Sequence, residues 1–500
     1  MSSAAFEDFI DRVRRVTALE DAAGMLRWDQ EVMMPDGGTP PRAKQLSALS
    51  TVRHDLLTDA AMETWIEELA AADLDGHQTA ILREVQREHD RAMAVPRDLI
   101  EALSERTSEA HPAWREAREN DDFERFAPVL EELLALKREY AEHIDASRDP
   151  YAVLVEEFEP YIDLETIDRI LTHLRNALVP LIDAVRESDV DLATPFAGTF
   201  AVDRQEAALR TILDDLGYDW TRGRLDTSPH PFTAGTYADA RITTRFDHAD
   251  LLGAITSTVH EFGHAQYLHG LPDEAYGTPL GQPRDLSVHE SQSRFWENHI
   301  ARSKAFWERA LPSLREQFPT LRGVTPQAAY EAANRVDPTT VIRVNADELT
   351  YHLHIVVRYE IERALVNGEL DVAEVPAVWN DKYEEYLGVR PGSNSEGVLQ
   401  DIHWSHGHFG YFPTYSLGSV IAAQLNETIR TERAVDDRVR DGAFDTITEW
   451  LGKRIHRHGC RYRTDELVER ATGRPPASDA FITYVREKYG TLYDLPGVGA

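Results

Sequence analysis

Asp250-Leu251-Leu252-Gly253-Ala254-Ile255-Thr256-Ser257-Thr258-Val259-His260-Glu261-Phe262-Gly263-His264-Ala265-Gln266-Tyr267-Leu268 is the stretch on which the reading of this chain turns. Its pattern predicts a helix. Within it His260 and His264 stand at i and i+4, so both imidazoles project from one face and can reach a single ion. Zinc suits nitrogen ligands, and a catalytic zinc site needs three protein ligands with one position left for water. Glu261 points to the side of that water and is placed to take its proton. The pattern alone is only moderately specific, because two His on an amphipathic helix also serve as ordinary core or surface imidazoles.

The downstream segment Ser287-Val288-His289-Glu290-Ser291-Gln292-Ser293-Arg294-Phe295-Trp296-Glu297-Asn298 again reads as a helix. A carboxylate from a second helix, 26 residues after His264, would complete a His-His-Glu site. Glu290 fits; Glu297, one heptad on and nearly on the same face, is the competitor. His289 reads as an orienting or structural neighbour rather than a fourth ligand. The third His of the metzincin spacing is missing, which disfavours that class.

Around this centre lie 500 residues with 53 basic and 87 acidic side chains, a net charge of −34. So negative a surface repels phosphate backbones and anionic lipid, which argues against nucleic-acid and membrane partners. Only Lys44, Lys137, Lys304, Lys382, Lys453 and Lys488 are lysines; the other basic residues are Arg. Such an excess of charge calls for screening by salt, and the acidic, Lys-poor composition reads as adaptation to a high-salt cytoplasm, with an ordinary acidic cytosolic protein as the alternative. The single Cys460 cannot form an intrachain disulfide and reads as a small, partly buried residue. Met1–Arg15 lacks the pattern of a signal peptide, and no run of 18 apolar residues marks a membrane span, so a cytoplasmic location is expected.

Helical periodicity runs from Ala4 to about Ile144, resumes over Leu164–Arg186 and Arg204–Leu216, and continues after residue 246 to the end. Gly- and Pro-rich loops interrupt it near 271–285, 389–397 and 473–477. Thr221–Phe246 differs: its alternating Arg241-Ile242-Thr243-Thr244-Arg245-Phe246 predicts a short hairpin or small sheet. The expected fold is mainly α, one unit over 1–500, with a helical half over about 1–220 and a metal-binding half over about 221–500.

With these residues in view, the chain resembles the carboxypeptidase Taq family of metallocarboxypeptidases over nearly its whole length. The resemblance rests on Asp239-Ala240-Arg241-Ile242-Thr243, His260-Glu261-Phe262-Gly263-His264, His289-Glu290-Ser291-Gln292, Ile342-Arg343-Val344-Asn345-Ala346-Asp347 and Gly397-Val398-Leu399-Gln400-Asp401-Ile402-His403-Trp404. Trp28-Asp29-Gln30 with Met34-Pro35, and Tyr411-Phe412-Pro413-Thr414-Tyr415, resemble the family too. It implies a large helical body with a deep active-site cleft, similar to neurolysin and angiotensin-converting enzyme. It also implies sequential removal of single residues from the C-terminus of short peptides, and commonly a homodimer.

On that reading His260, His264 and Glu290 hold Zn²⁺, for which Co²⁺ or Mn²⁺ can substitute, and Glu261 is the general base. The oxyanion donor comes from His406-Gly407-His408-Phe409-Gly410-Tyr411 through Tyr415, with Tyr415 first, His406 next, and Tyr411 and His408 behind them. Arg241, slightly ahead of Arg343, is the candidate for the substrate carboxylate, since a guanidinium pairs with it bidentately. Arg343 and Asp347 are expected on a helix, and Asp239 and Asp347 are expected to orient an Arg or a metal-ligand His. Asp401 and His403 form a possible carboxylate–imidazole pair, with structural support the favoured role for them and for Gln400. Trp28 and Trp404 read as core. The rival readings are an endo-acting zinc oligopeptidase on the same fold and a non-catalytic zinc-stabilised scaffold. Glu261 argues against the scaffold, since a structural site has no use for a base.

Overall fold

The computed structural model describes residues 2–497. Helix accounts for 69% and strand for 3%, which places the chain in the mainly-α class with a small sheet, as its periodicity predicts. The first helix, Ser2–Val32, stops at Met33-Met34-Pro35, where the proline and the glycines after it break the pattern. Asp side chains start the later helices by accepting backbone N–H bonds: Asp163 from Thr166 (2.7 Å) and Asp250 from Gly253 (2.8 Å).

Three hydrophobic cores form. A small one joins Phe9 and Val13 of the first helix to Met62, Ile66, Leu82 and Val85. A second packs Leu130, Leu134, Leu171 and Leu178 against Leu353, Trp379 and Phe481. A third surrounds the quoted helix: Leu209, Ile242, Ile255, Phe262, Trp296, Trp307 and Ile447. The two large cores each take segments from both sides of residue 220, so packing does not follow the division into halves expected there. Helix Pro413–Glu432 stitches them together, with Leu417 and Val420 in one and Ile421 and Leu425 in the other.

The segment near 221–246 is a three-stranded sheet of order β1-β3-β2, with β1 Gly223–Thr227, β2 Thr233–Thr236 and β3 Asp239–Thr244. β2 and β3 make the hairpin that the alternation predicts, and β1 adds in parallel to β3. Alternation along β3 buries Ala240 and Ile242 and turns Arg241 to the other face.

Helix Leu286–Arg294 lies between helix Leu251–His269 and helix Pro413–Glu432, and glycine makes both crossings possible. A Cβ at Gly263 would stand 2.5 Å from the Gln292 carbonyl oxygen, and one at Gly418 would stand 2.5 Å from Glu290 Cγ. The Gly263 contact is with backbone, which cannot step aside. Gly263→Ala is expected to cost about 2 kcal/mol by overpacking. Gly452→Ala, in a helix with nothing within 4 Å of the new methyl, should instead stabilise by about 1 kcal/mol. Opposite shifts in thermal midpoint are the check; equal shifts would refute the close crossing.

Candidate active site

The quoted segment is a helix over Leu251–His269, and its i,i+4 spacing puts the two imidazoles side by side, ring centroids 5.0 Å apart. Helix Leu286–Arg294 delivers Glu290 against them: Glu290 Oε2 lies 3.6 Å from His260 Nε2 and 3.4 Å from His264 Nε2. Among the described residues these three form the one group whose ligand atoms all fall within 4.8 Å of one another. Tetrahedral bonds of about 2.0–2.1 Å require donors roughly 3.3–3.4 Å apart, so two imidazole nitrogens and a carboxylate oxygen at this spacing fit a divalent metal.

The other ring nitrogens are held from behind. Glu297 Oε2 accepts from His260 Nδ1 at 2.9 Å, and His264 Nδ1 lies 2.5 Å from His289 Nδ1. Glu297 thus holds the back of the His260 ring, while Glu290 is the acid that joins the two imidazole Nε2 atoms. After Arg294 the helix widens into a π-helical turn, Phe295–Ala301, and Glu297 sits in it. Arg294 fastens both acids, donating Nε to Glu290 (2.7 Å) and a terminal nitrogen to Glu297 (3.1 Å); Arg302 donates to the second Glu297 oxygen at 2.9 Å. Burial alone would raise both carboxyls, but Arg294, with the two imidazoles at Glu290 and Arg302 at Glu297, holds them well below the usual range. Burial pushes His289 down to about 3, which keeps it neutral.

Glu261 is buried at 5% exposure, and Thr233 of β2 donates its hydroxyl to Glu261 Oε2 at 2.6 Å. A cluster of aromatic and basic groups joins the site through Arg294, which lies 4.8 Å from the centre of the Tyr351 ring. Arg343 donates to Asp401 (2.9 and 2.8 Å) and to the Tyr351 hydroxyl (3.1 Å), and lies 5.1 Å from the centre of the Tyr415 ring. Tyr415 Oη is hydrogen-bonded to His403 Nε2 at 3.1 Å. Burial and then the charge of Glu290 push Tyr411 up to about 12. Burial, with Tyr411 and Glu290 among the other causes, drives Tyr415 well above its ordinary value. Both phenols therefore stay protonated and able to donate.

A carboxypeptidase Taq (M32) metallopeptidase family model matches residues 8–489. The chain belongs to that family. It is 38% identical to thermostable carboxypeptidase 1 of Thermus thermophilus, over 98% of this chain and 99% of the relative, and 37% identical to thermostable carboxypeptidase 1 of Pyrococcus furiosus, over 97% and 98%. The M32 carboxypeptidase of Deinococcus radiodurans superimposes with a TM-score of 0.95 at 35% identity, covering 98% of this chain and all of that one. The chain is accordingly a metal-dependent carboxypeptidase, a peptide hydrolase.

Among M32 motif residues read from sequence, the structure brings His260, His264, Glu290 and Glu261 together, with Tyr411, Tyr415 and Arg343 facing them. Arg241 pairs with Asp239 (2.9 and 2.7 Å) and stacks 4.3 Å above Trp28, on the sheet face away from Ile242 and its cross-strand neighbour Thr233. Exposed His406 packs on His111 (5.1 Å) and His408 (5.6 Å), and it is His408 that stacks on Tyr411 (5.9 Å).

Three expectations change. Arg343–Asn345 is a short 3₁₀ turn, and the helix begins only at Tyr351. Asp347 accepts from the Leu349 and Thr350 amides and the Thr350 hydroxyl, capping that start instead of orienting an Arg or His. Asp401 is taken by Arg343 and, at 2.5 Å, by Arg358, so it forms no hydrogen-bonded pair with His403. Gln400 buttresses, accepting from the Arg343 amide at 2.8 Å, and Trp28 and Trp404 are buried.

The sequence alone does not single out Thr233, Arg294, Arg302 or Tyr351. Arg294 had a readable signal, standing four residues after Glu290 and three before Glu297 on one helix. Arg294→Ala is expected to lower metal affinity about 10- to 100-fold, measured by competition against a chromogenic chelator. An unchanged affinity would mean that the guanidinium does not position Glu290.

Proposed function

We propose that the enzyme removes single amino acids in sequence from the C-terminus of short peptides, with broad specificity, using His260, His264 and Glu290 to hold zinc. The observation that carries this is a buried base, Glu261, one residue from a ligand in a three-donor site. A structural zinc would need four protein ligands and no base. Co²⁺ or Mn²⁺ can serve the same donors. When bound, the metal supplies a Lewis acid for the scissile carbonyl and lowers the pKa of the attacking water.

The chain supplies the rest. Glu261 Oε2, steadied by Thr233, takes the proton of the water and returns it to the leaving amine. Tyr415, the first choice, or Tyr411 donates to the developing oxyanion. Arg343 lies in the same cluster as those phenols, which favours it over Arg241 as the group that senses the substrate carboxylate. Its Asp401 partnership makes that sensing pass through Tyr351 and Tyr415 as much as through the fork itself. His406, one ring further out, serves the rim.

The acidic, Lys-poor composition supports work in a salt-rich cytoplasm. A single catalytic unit over 1–500, acting as a homodimer, is the assembly proposed on family resemblance. An endo-acting oligopeptidase remains the second reading, supported by the same base and ligands. It has no need of a free terminal carboxylate.

With a short peptide as free acid and as C-terminal amide, followed by mass, stepwise loss of terminal residues from the acid alone is expected, abolished by Glu261→Gln. Internal cleavage of both forms would transfer the reading to the oligopeptidase. Tyr415→Phe should lower kcat about 10²- to 10³-fold with KM little altered, while His406→Ala stays near the parent rate; the reverse order would exchange their roles. Raising salt from 0.1 M to molar should raise the thermal midpoint, because screening shortens the Debye length from about 10 Å to 3 Å; a flat or falling response would remove the halophilic reading.

A further inference from the structure

A cavity of about 400 Å³ lies between the N-terminal helices and the segment leading into helix Leu286–Arg294. Val13, Val16, Val85, Phe158 and His289 are among the residues that line it. The last two tie it to the metal triad. His289 Nδ1 is 2.5 Å from His264 Nδ1, and the Phe158 ring meets Tyr411 edge-on at 5.0 Å. The volume is that of a small ligand site.

The charged groups of its wall can be paired off almost completely. Arg284 takes Asp285 (2.7 Å) and Glu84 (2.8 Å), and Arg53 takes Glu20 (3.2 Å) and Glu88 (3.0 Å). Glu157 receives Lys137 Nζ at 3.0 Å, and Asp21 accepts the Tyr276 hydroxyl at 2.8 Å. Arg87 is left over. It donates to the Glu156 carbonyl, and among the described residues no carboxylate oxygen lies within 4.0 Å of it. In a chain with 87 acidic residues against 53 basic ones, a guanidinium without a carboxylate on the wall of a partly apolar cavity stands out from the usual pattern, because a partly buried charge left uncompensated is costly. Arg241 and Arg343, in contrast, are each already engaged with a carboxylate.

We propose that Arg87 is a substrate-binding residue: its guanidinium, held by the Glu156 carbonyl and by no carboxylate, receives a carboxylate side chain of the peptide in this cavity, which His289 also lines. The statement rests on the metal triad marking where the peptide is cut. The carboxylate is an Asp or Glu side chain of the peptide, whose planar pair of oxygens the Arg fork fits, while the terminal α-carboxylate is left to Arg343.

The test uses the metal-loaded full chain and short peptides in matched pairs, Glu against Gln at each position. Arg87→Gln should raise KM about 10- to 100-fold with kcat changed less than about threefold, the range spanned by losing a charge-assisted hydrogen bond. Arg87→Lys should recover part of the loss. The rise is expected only on the Glu-bearing members, and an equal rise on every free-acid peptide overturns the side-chain assignment. KM held within about twofold on all peptides, or a fall in kcat alone, overturns the proposal. Should Arg87→Gln not fold, Arg87→Lys is judged by the same ratio. Glu261→Gln, run beside them, tests the triad separately. Turnover surviving there would refute the proposed base and leave the Arg87 comparison readable.

Discussion

Arg294 holds two buried carboxylates at once, and the metal-binding geometry depends on that clamp. Glu290 and Glu297 lie seven residues apart on one continuous helical run, with Arg294 between them at four and three residues. Each acid would resist ionisation by burial alone, and a protonated Glu290 is no metal ligand. The guanidinium keeps both ionised. It also fixes their directions, one toward the imidazole Nε2 atoms and the other toward His260 Nδ1. The close helix crossings at Gly263 and Gly418 let this acid-bearing helix approach the helix of the two His on one side and helix Pro413–Glu432 on the other.

The five motif segments become three places in space. His260–His264 meets His289–Gln292 at the metal triad. Ile342–Asp347 meets Gly397–Trp404 through Arg343 with Asp401 and through the Arg343 amide with Gln400. Asp239–Thr243 forms β3, whose Arg241 covers Trp28 of the first helix while its partner β2 steadies Glu261. A run of sequence that looks like one motif is thus often half of a pair, and its other half lies tens or hundreds of residues away.

This explains what was legible beforehand. That His260, His264 and Glu290 come together could be read because i,i+4 spacing is a local property of a helix and because the helix of Glu290 was legible. Glu297 was legible as an acid on the right face, but its job was not, since that depends on the π-helical turn and on which imidazole nitrogen it meets. Arg343 was assigned to a helix that begins eight residues later, because the capping by Asp347 reaches across a turn that periodicity does not register. Thr233 carried no signal at all: only the packing of β2 on the helix Leu251–His269 brings its hydroxyl to Glu261. The mainly helical class and the small sheet followed from period alone, whereas the grouping of helices into cores that straddle residue 220 depends on long-range packing.

Charge around the triad closes the argument. The three carboxylates Glu261, Glu290 and Glu297 face the two guanidiniums Arg294 and Arg302, leaving one excess negative charge. A bound divalent ion would turn that into one excess positive charge, and when Glu261 takes the water's proton its negative charge passes to the oxyanion with the sum unchanged. His289 and His403 add nothing to this balance, since burial keeps both neutral. The Tyr411 and Tyr415 phenols, held protonated, offer dipoles rather than charge. Such a site favours the charge that develops during hydrolysis over the neutral ground-state amide, which is the differential binding that catalysis requires. Removing Arg294 would upset both the ligand geometry and this sum. Removing Arg302 would shift the sum as well but reach the triad only through Glu297 and His260, leaving the Arg294–Glu290 bond in place.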